Sequence, residues 1–348
     1  MLNFYLTFSH LHWRKPRDPP PPPPEGLERD FVETPGGRIE ILSAKPKYST
    51  LETPVVFAHG GMGCAWVWTL YMRYLASRGI TCYAISYRGH GNSWYPSFLR
   101  MLYAVTKRDL ADDLLAGIRA VQTREGREII LVGHSIGGGL SQYLLNEGDT
   151  KVKGLALLGA IPGNGSWQVY RNWFGVDPWF SLRLLLQGGH SISPLSHPFL
   201  LRQAFFSPDC PEAQLLEFQR NMSHYENYIW AIGMLQPFVE PEKLLSNITG
   251  WGTTDRVLIM AGIGDRLLTR DLQESSAKTY RKAFSHLVKD SVLEAKDYDV
   301  HPLPGAGGMD NSGHGVRVAW VPDSGHHLQN DVTWEVGAEK LLDFIMQL

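Results

Sequence analysis

The sequence predicts an α/β fold: a mostly parallel central sheet flanked by helices, with a helical cap inserted late in the sheet. Three observations carry this. Short, continuously apolar runs alternate with stretches of helical periodicity from about residue 55 onward. The runs lack polar alternation, which fits strands buried on both faces. Residues 163–252 break the rhythm, because strand runs are absent there and Trp and Leu are frequent.

The elements follow in chain order. Residues 19–24 are an unbroken proline run, a stiff polyproline II spacer that can join neither a helix nor a central strand. Phe31 and Val32 lead into Pro35, Gly36 and Gly37, and Ile39, Ile41 and Leu42 resume the apolar pattern, a hairpin signature. Val55 to Ala58 is the first buried run, and residues 65–77 read as a helix. Further runs occupy residues 81–86, 129–132, 152–158, 257–261 and 316–321. Leu110, Leu114, Ile118 and Val121 mark one helix face; Leu140, Tyr143 and Leu144 a second; Trp334, Ala338, Leu341 and Ile345 the last. The expected division is an N-terminal arm and linker over 1–24, core over 25–162, cap over 163–252 and core again over 253–348.

Composition narrows the function classes. The 348 residues carry 33 basic and 35 acidic side chains, a formal net charge of −2 without a long basic run. A nucleic-acid partner is therefore not expected. Cys64, Cys82 and Cys210 are odd in number and far apart, which gives neither a disulfide framework nor a zinc spacing. Residues 1–13 are apolar but fall short of the ~20 needed to span a bilayer, and lack a charged leader and a small-residue cleavage site. A packing arm or a tail is expected there. With no export signal recognised, a cytoplasmic location is the default expectation, and membrane association is not expected.

The chemistry concentrates at strand ends. Gly133, His134, Ser135, Ile136, Gly137 and Gly138 sit between an apolar run and a helical pattern. This is the context of a nucleophile elbow, a strained turn that projects the serine hydroxyl from the sheet. Glycine two residues either side avoids collision with the neighbouring strand and helix. The Ile136 N–H then points at a developing oxyanion, helped by the helix N-terminus. The plainer alternative is a Gly-rich turn. His59, Gly60 and Gly61 end an earlier run, and there a second amide is offered by Gly61, or else by Met62; His59 itself is read as holding the loop. Asp265 follows the run 257–261, where a carboxylate at a strand's carboxyl end faces a site and can orient an imidazole; a loop or helix cap is the alternative. His326 follows the last run in Gly325-His326-His327 and is the preferred general base, with His327 as the competitor.

With Tyr87-Arg88-Gly89-His90-Gly91-Asn92-Ser93, these segments resemble the α/β-hydrolase superfamily, of the esterase-like kind with a helical cap. The likeness spans residues 27 to 348. It implies a Ser135–Asp265–His326 triad acting through an acyl-enzyme, without cofactor or metal. Two departures stand out. Ser86 occupies a position where the family often has Asp, and the loop 296–315 looks inserted. Its His301 and His314, taken with His326 and His327, match no metal motif.

The cap is aromatic, and Trp167, Trp173 and Trp230 are the expected substrate contacts. Each such aromatic can equally serve the cap's own core. Together they point to a small hydrophobic ester or lactone. Thioester, amide or carbon–carbon cleavage, acyl transfer, and ligand binding without catalysis are the alternatives, and the oligomeric state, monomer or homodimer, is open.

Overall fold

The computed structural model describes residues 10–16, 20–304 and 309–348, except for the side chains of Trp230 and Ala231. A hairpin comes first, β1 (Glu28–Thr34) and β2 (Gly37–Ala44), with Val32 opposite Ile39. It is followed by β3 (Leu51–Ala58), α1 (Thr69–Ala76), β4 (Ile80–Ile85), α2 (Phe98–Ala104), α3 (Lys107–Glu125), β5 (Ile130–His134), α4 (Ile136–Glu147) and β6 (Gly154–Leu158). In the interrupted region come α5 (Trp167–Val176), α6 (Phe180–Leu186), α7 (Pro198–Phe205), α8 (Glu212–Arg220) and α9 (Ile229–Ile232). After α10 (Pro241–Leu245) the core resumes with β7 (Val257–Gly262), α11 (Arg270–Lys289), β8 (His301–Pro302), β9 (Asn311–Ser312), β10 (Val316–Val321) and α12 (Trp334–Ile345).

The sheet runs β1-β2-β4-β3-β5-β6-β7-β10-β9-β8. The stretch from β4 to β10 is parallel, and antiparallel pairs close both edges. Each parallel strand divides its side chains between two cores. Val56, Leu131, Leu155 and Ile259 face the layer of α3, α4 and α11, whereas Phe57, Val132, Ala156 and Met260 face α1 and α12. Both faces are covered, which is why these strands read as unbroken apolar runs. The chain leaves β3 in one direction across the sheet and β5 in the other, so a crevice opens at their carboxyl ends.

Local signals fix the helix ends. A capping box starts α3: the Thr106 side chain accepts from the Asp109 amide and the Asp109 carboxylate accepts from the Thr106 amide. The predicted helix over 65–77 begins instead as a 3₁₀ turn at Ala65–Trp68 before α1. The inserted-looking loop 296–315 forms the small β8–β9 hairpin, which extends the sheet edge through Asn311 against Val318. Within residues 163–252, among the described residues, the chain forms no strand beyond an isolated bridge from Ile248 to Val152. Its last helix, α10, buries Leu244 and Leu245 in the core rather than in the aromatic layer above. The part of the arm that is described, residues 10–16, packs on this region. His190 Nε2 lies 3.0 Å from the His12 carbonyl and His224 Nδ1 lies 2.8 Å from that of Arg14.

Where the resemblance leads one to expect Asp, the Ser86 hydroxyl donates to Glu40 Oε2 at 2.8 Å and accepts from the Ala65 amide at 2.9 Å. The missing carboxylate is thus supplied by β2. The neighbouring Arg88 is buried against Asp113, donating from Nε at 2.7 Å and from Nη2 at 2.8 Å. Two parallel bonds of this kind fix the turn in orientation as well as position.

Candidate active site

Ser135 sits between β5 and α4 with φ 53° and ψ −123°, a strained conformation for a residue with a side chain. The flanking glycines allow it. A Cβ on Gly133 would lie 2.6 Å from the Gly138 Cα, and one on Gly137 would lie 2.2 Å from the His59 carbonyl oxygen. The turn projects the hydroxyl to 3.0 Å from His326 Nε2. His326 Nδ1 in turn lies 2.8 Å from Asp265 Oδ2. The other carboxylate oxygen of Asp265 accepts from the Leu267 and Leu268 amides, each at 2.9 Å. Burial alone would raise the Asp265 carboxyl; the adjacent imidazole and these two amides hold it below the usual carboxylate range instead. Asp265 is thereby kept as an anion facing Nδ1–H.

The competing histidine points elsewhere. His327 stacks on Phe206 with ring centroids 5.8 Å apart and meets Asn330 Nδ2 through Nδ1 at 3.2 Å. His134 Nε2 donates to the His326 carbonyl at 3.0 Å, bracing the backbone of the histidine that does reach the serine. Burial, with the nearby His326, pushes the His134 imidazole down to about 3, so it remains neutral. His59 is fully buried, with Nδ1 2.8 Å from the Gly60 carbonyl and its own carbonyl accepting from the Tyr87 hydroxyl at 3.2 Å. His314 pairs with Asp297 at 2.6 Å.

Of the expected amide donors, Gly61 and Ile136 both border the cavity at Ser135, and the loop is tight against the elbow, since a Cβ on Gly60 would meet the Ser135 Cβ at 3.0 Å. Met62 is a correction to the sequence reading. Its amide donates to Glu226 Oε2 at 2.5 Å and so is committed elsewhere. Glu226 is buried, and the same oxygen lies 2.9 Å from His90 Nε2 while Oε1 accepts from the Asn227 amide at 2.8 Å. Burial opposes the charged imidazole, but Glu226 holds His90 above its ordinary value.

The cavity above Ser135 has a volume of about 320 Å³, in the range of sites for small ligands. Ile161, Val169, Trp173, Phe174, Phe205 and Leu268 give it apolar walls, and Glu226 is the one ionisable side chain of the lining besides histidine and tyrosine among the described residues. Trp173 borders this cavity, whereas Trp167, 68% exposed, stands outside the lining. The Trp230 side chain lies outside the described residues. Sequence reading missed Glu226, because its partners Met62 and His90 are remote in the chain and only the folded cap brings them together.

Three comparisons bear on this geometry. The family model described as alpha/beta hydrolase family matches residues 55–332. A non-heme haloperoxidase of Rhodococcus erythropolis is 32% identical over 111 residues, 31% of this chain and 37% of that protein, so the match spans little more than a third of the relative's length. Among solved structures, a thermophilic esterase from Thermogutta terrifontis superposes with a TM-score of 0.60 at 16% identity, covering 92% of this chain and 98% of that one. The 2-hydroxy-6-oxo-6-phenylhexa-2,4-dienoate hydrolase of Rhodococcus sp. strain RHA1 gives a TM-score of 0.55 at 17% identity, over 92% and 99% of the two chains. At these identities the structural likeness is one of fold.

Proposed function

The chain belongs to the alpha/beta hydrolase family, and on that premise we propose that it is a serine hydrolase that cleaves a neutral, hydrophobic carboxylic ester or lactone. The observation that carries this reading is the relay from Ser135 Oγ to His326 Nε2 at 3.0 Å and from His326 Nδ1 to Asp265 at 2.8 Å. The order along the chain, serine then acid then histidine, is that of the fold's hydrolytic members.

The chemistry follows from the atoms. Ser135 Oγ attacks the ester carbonyl carbon as its proton passes to His326 Nε2. The carbonyl oxygen becomes an oxyanion against the Gly61 and Ile136 N–H groups. Asp265 stabilises the imidazolium without taking its proton. The intermediate collapses, the carbon–oxygen bond to the alcohol breaks, and His326 gives its proton to the leaving oxygen. An acyl-serine remains. Water then attacks with His326 again as base, releasing the acid and restoring Ser135. In a lactone the leaving alcohol stays attached to the acyl group, and one hydroxy acid is released.

The lining supports a neutral substrate. No lysine or arginine borders the cavity among the described residues, so an anionic group would find no countercharge there. A dienoate such as the one named for the Rhodococcus hydrolase would bring an unpaired carboxylate into an apolar site, which is costly. The test is intact-mass analysis after a fluorophosphonate probe. One adduct per chain, absent in Ser135→Ala, is expected; an unlabelled wild-type protein would leave the reading without its nucleophile. A neutral p-nitrophenyl butyrate should also be preferred over a hemisuccinate ester of the same phenol.

A further inference from the structure

The outer face of α5 and α6 is apolar beyond what the cap's own packing uses. Trp167, Trp179 and Leu185 are 68%, 59% and 75% exposed, and Phe174, Leu182 and Leu186 stand beside them at 45–51%. Contiguous apolar surface of this kind marks an interaction site. The charges of the segment are distributed in a particular way. Asp177 and Arg183 are buried and paired with each other, Arg183 donating also from Nε to the Ser193 carbonyl at 3.2 Å. Only Arg171 is exposed, so the outward side of Trp167–Leu186 presents six large apolar groups, one cation and no carboxylate. Asn172 donates to the Leu267 carbonyl at 2.9 Å, which brings the loop carrying exposed Ile263 and Arg266 against α5 and adds a second cation.

The same two helices line the substrate cavity with Trp173, Phe174, Phe180 and Leu184. Phe174 belongs to both the exposed face and the cavity wall. The apolar face is therefore continuous with the cavity that ends at Ser135.

We propose that this face seats the cap on a lipid bilayer surface. α5 and α6 lie in the interfacial plane with Trp167, Trp179 and Leu185 among the acyl chains, and Arg171 and Arg266 meet the headgroup phosphates. Amphipathic helices with Trp and Leu on one side and cations beside them bind membranes in this way, through buried apolar area plus attraction to anionic lipid, and indole rings favour the interface. A hydrophobic ester then moves from the bilayer into the cavity without crossing water. A second copy of the chain fits the face less well. A two-fold contact would bring Arg171 against a surface with no acid to pair it. The proposal departs from the sequence expectation of no membrane association, which weighed spanning length and the N-terminal stretch. No helix among the described residues is long and apolar enough to cross a membrane. The docking does not depend on the chemistry proposed for Ser135.

The experiment is flotation of the full chain with vesicles of phosphatidylcholine doped with phosphatidylglycerol, using wild type, Ser135→Ala and the triple variant Trp167→Ser/Trp179→Ser/Leu185→Ser. Wild type and Ser135→Ala are expected to float equally. The triple variant, whose changes lie outside the cavity lining, should partition at least about tenfold less while keeping its melting temperature and its turnover of a water-soluble ester. Light scattering on the same samples reports the oligomeric state. Wild type that fails to float, a triple variant that floats as well as wild type, or a non-floating wild-type dimer that the triple variant turns into monomer would each overturn the proposal. The last outcome would assign the face to a second copy.

Discussion

The Glu226 carboxylate, carried by the cap, accepts the Met62 backbone N–H of the loop beside Ser135 at 2.5 Å. The helical segment over 163–252 and the loop beside Ser135 are joined by this contact across 164 residues of chain. Met62 has φ 64°, a left-handed conformation that costs energy for a residue with a side chain. Glu226 holds the loop in it, and the neighbouring Gly61 borders the cavity at Ser135.

Removing that clamp should loosen the loop and strand its hydrogen-bond partners. Glu226→Ala takes the acceptor from the Met62 amide, the Asn227 amide and the His90 imidazole, which typically costs about 2–4 kcal/mol. Turnover should fall about tenfold or more through a displaced oxyanion donor, with KM changed little. Glu226→Gln keeps an acceptor for Met62 and should retain most of the activity. Thermal unfolding and steady-state kinetics on the two variants check this; equal activity in Glu226→Ala and wild type would contradict it.

Asp265→Asn preserves shape but not the charge that faces His326 Nδ1–H. An amide there can turn its N–H₂ group toward the ring and favour the wrong tautomer. Turnover should fall by roughly 10⁴-fold, the loss known for this change in a serine triad, while the melting temperature moves little. Single-turnover kinetics with a p-nitrophenyl ester would read the acylation step directly.

Acid should destabilise the fold through its buried imidazoles. Burial lowers His59 and His327 well below 6.5 and His134 to about 3. Because the folded-state values lie below the unfolded one, the unfolded chain takes up these protons first. Stability is therefore unaffected well above 6.5 and falls as the pH drops below it, down to about 3 for His134. Each such histidine contributes a slope of ~1.4 kcal/mol per pH unit in that window. Urea midpoints measured from neutral pH downward should decline, and a flat profile would show that the imidazoles are not held neutral.

Much of this was legible in the sequence, for physical reasons. Strands buried on both faces leave continuous apolar runs, so the runs that form β3 to β7 and β10 could be read, whereas the short β8 and β9 lay in a stretch read as an inserted loop. The residues proposed to act together sit at the ends of those runs, so Ser135, Asp265 and His326 stood next to punctuating glycines. The misses share a different cause. Glu226 has no local signature, because its partners come from the other side of the cap. Met62 and Gly61 are adjacent amides, and only the folded cap shows which one is taken. Trp167 and Trp173 are six residues apart in one short helix, and the packing of α5 alone decides that one faces solvent and the other the cavity. The long helix α11 escaped notice for want of a continuous apolar stretch. It is strongly charged, and its buried Ala277, Tyr280, Ala283, Phe284 and Leu287 follow helical spacing between Lys and Arg.

We propose Ser135 as the nucleophile of an ester hydrolase. The most direct measurement is hydrolysis of p-nitrophenyl esters of rising acyl length by wild type and Ser135→Ala side by side. The expected result is turnover of neutral, medium-length esters by wild type and a loss on the order of 10⁶-fold in the variant, with both proteins equally folded. Near-equal turnover in the two proteins would contradict the assignment.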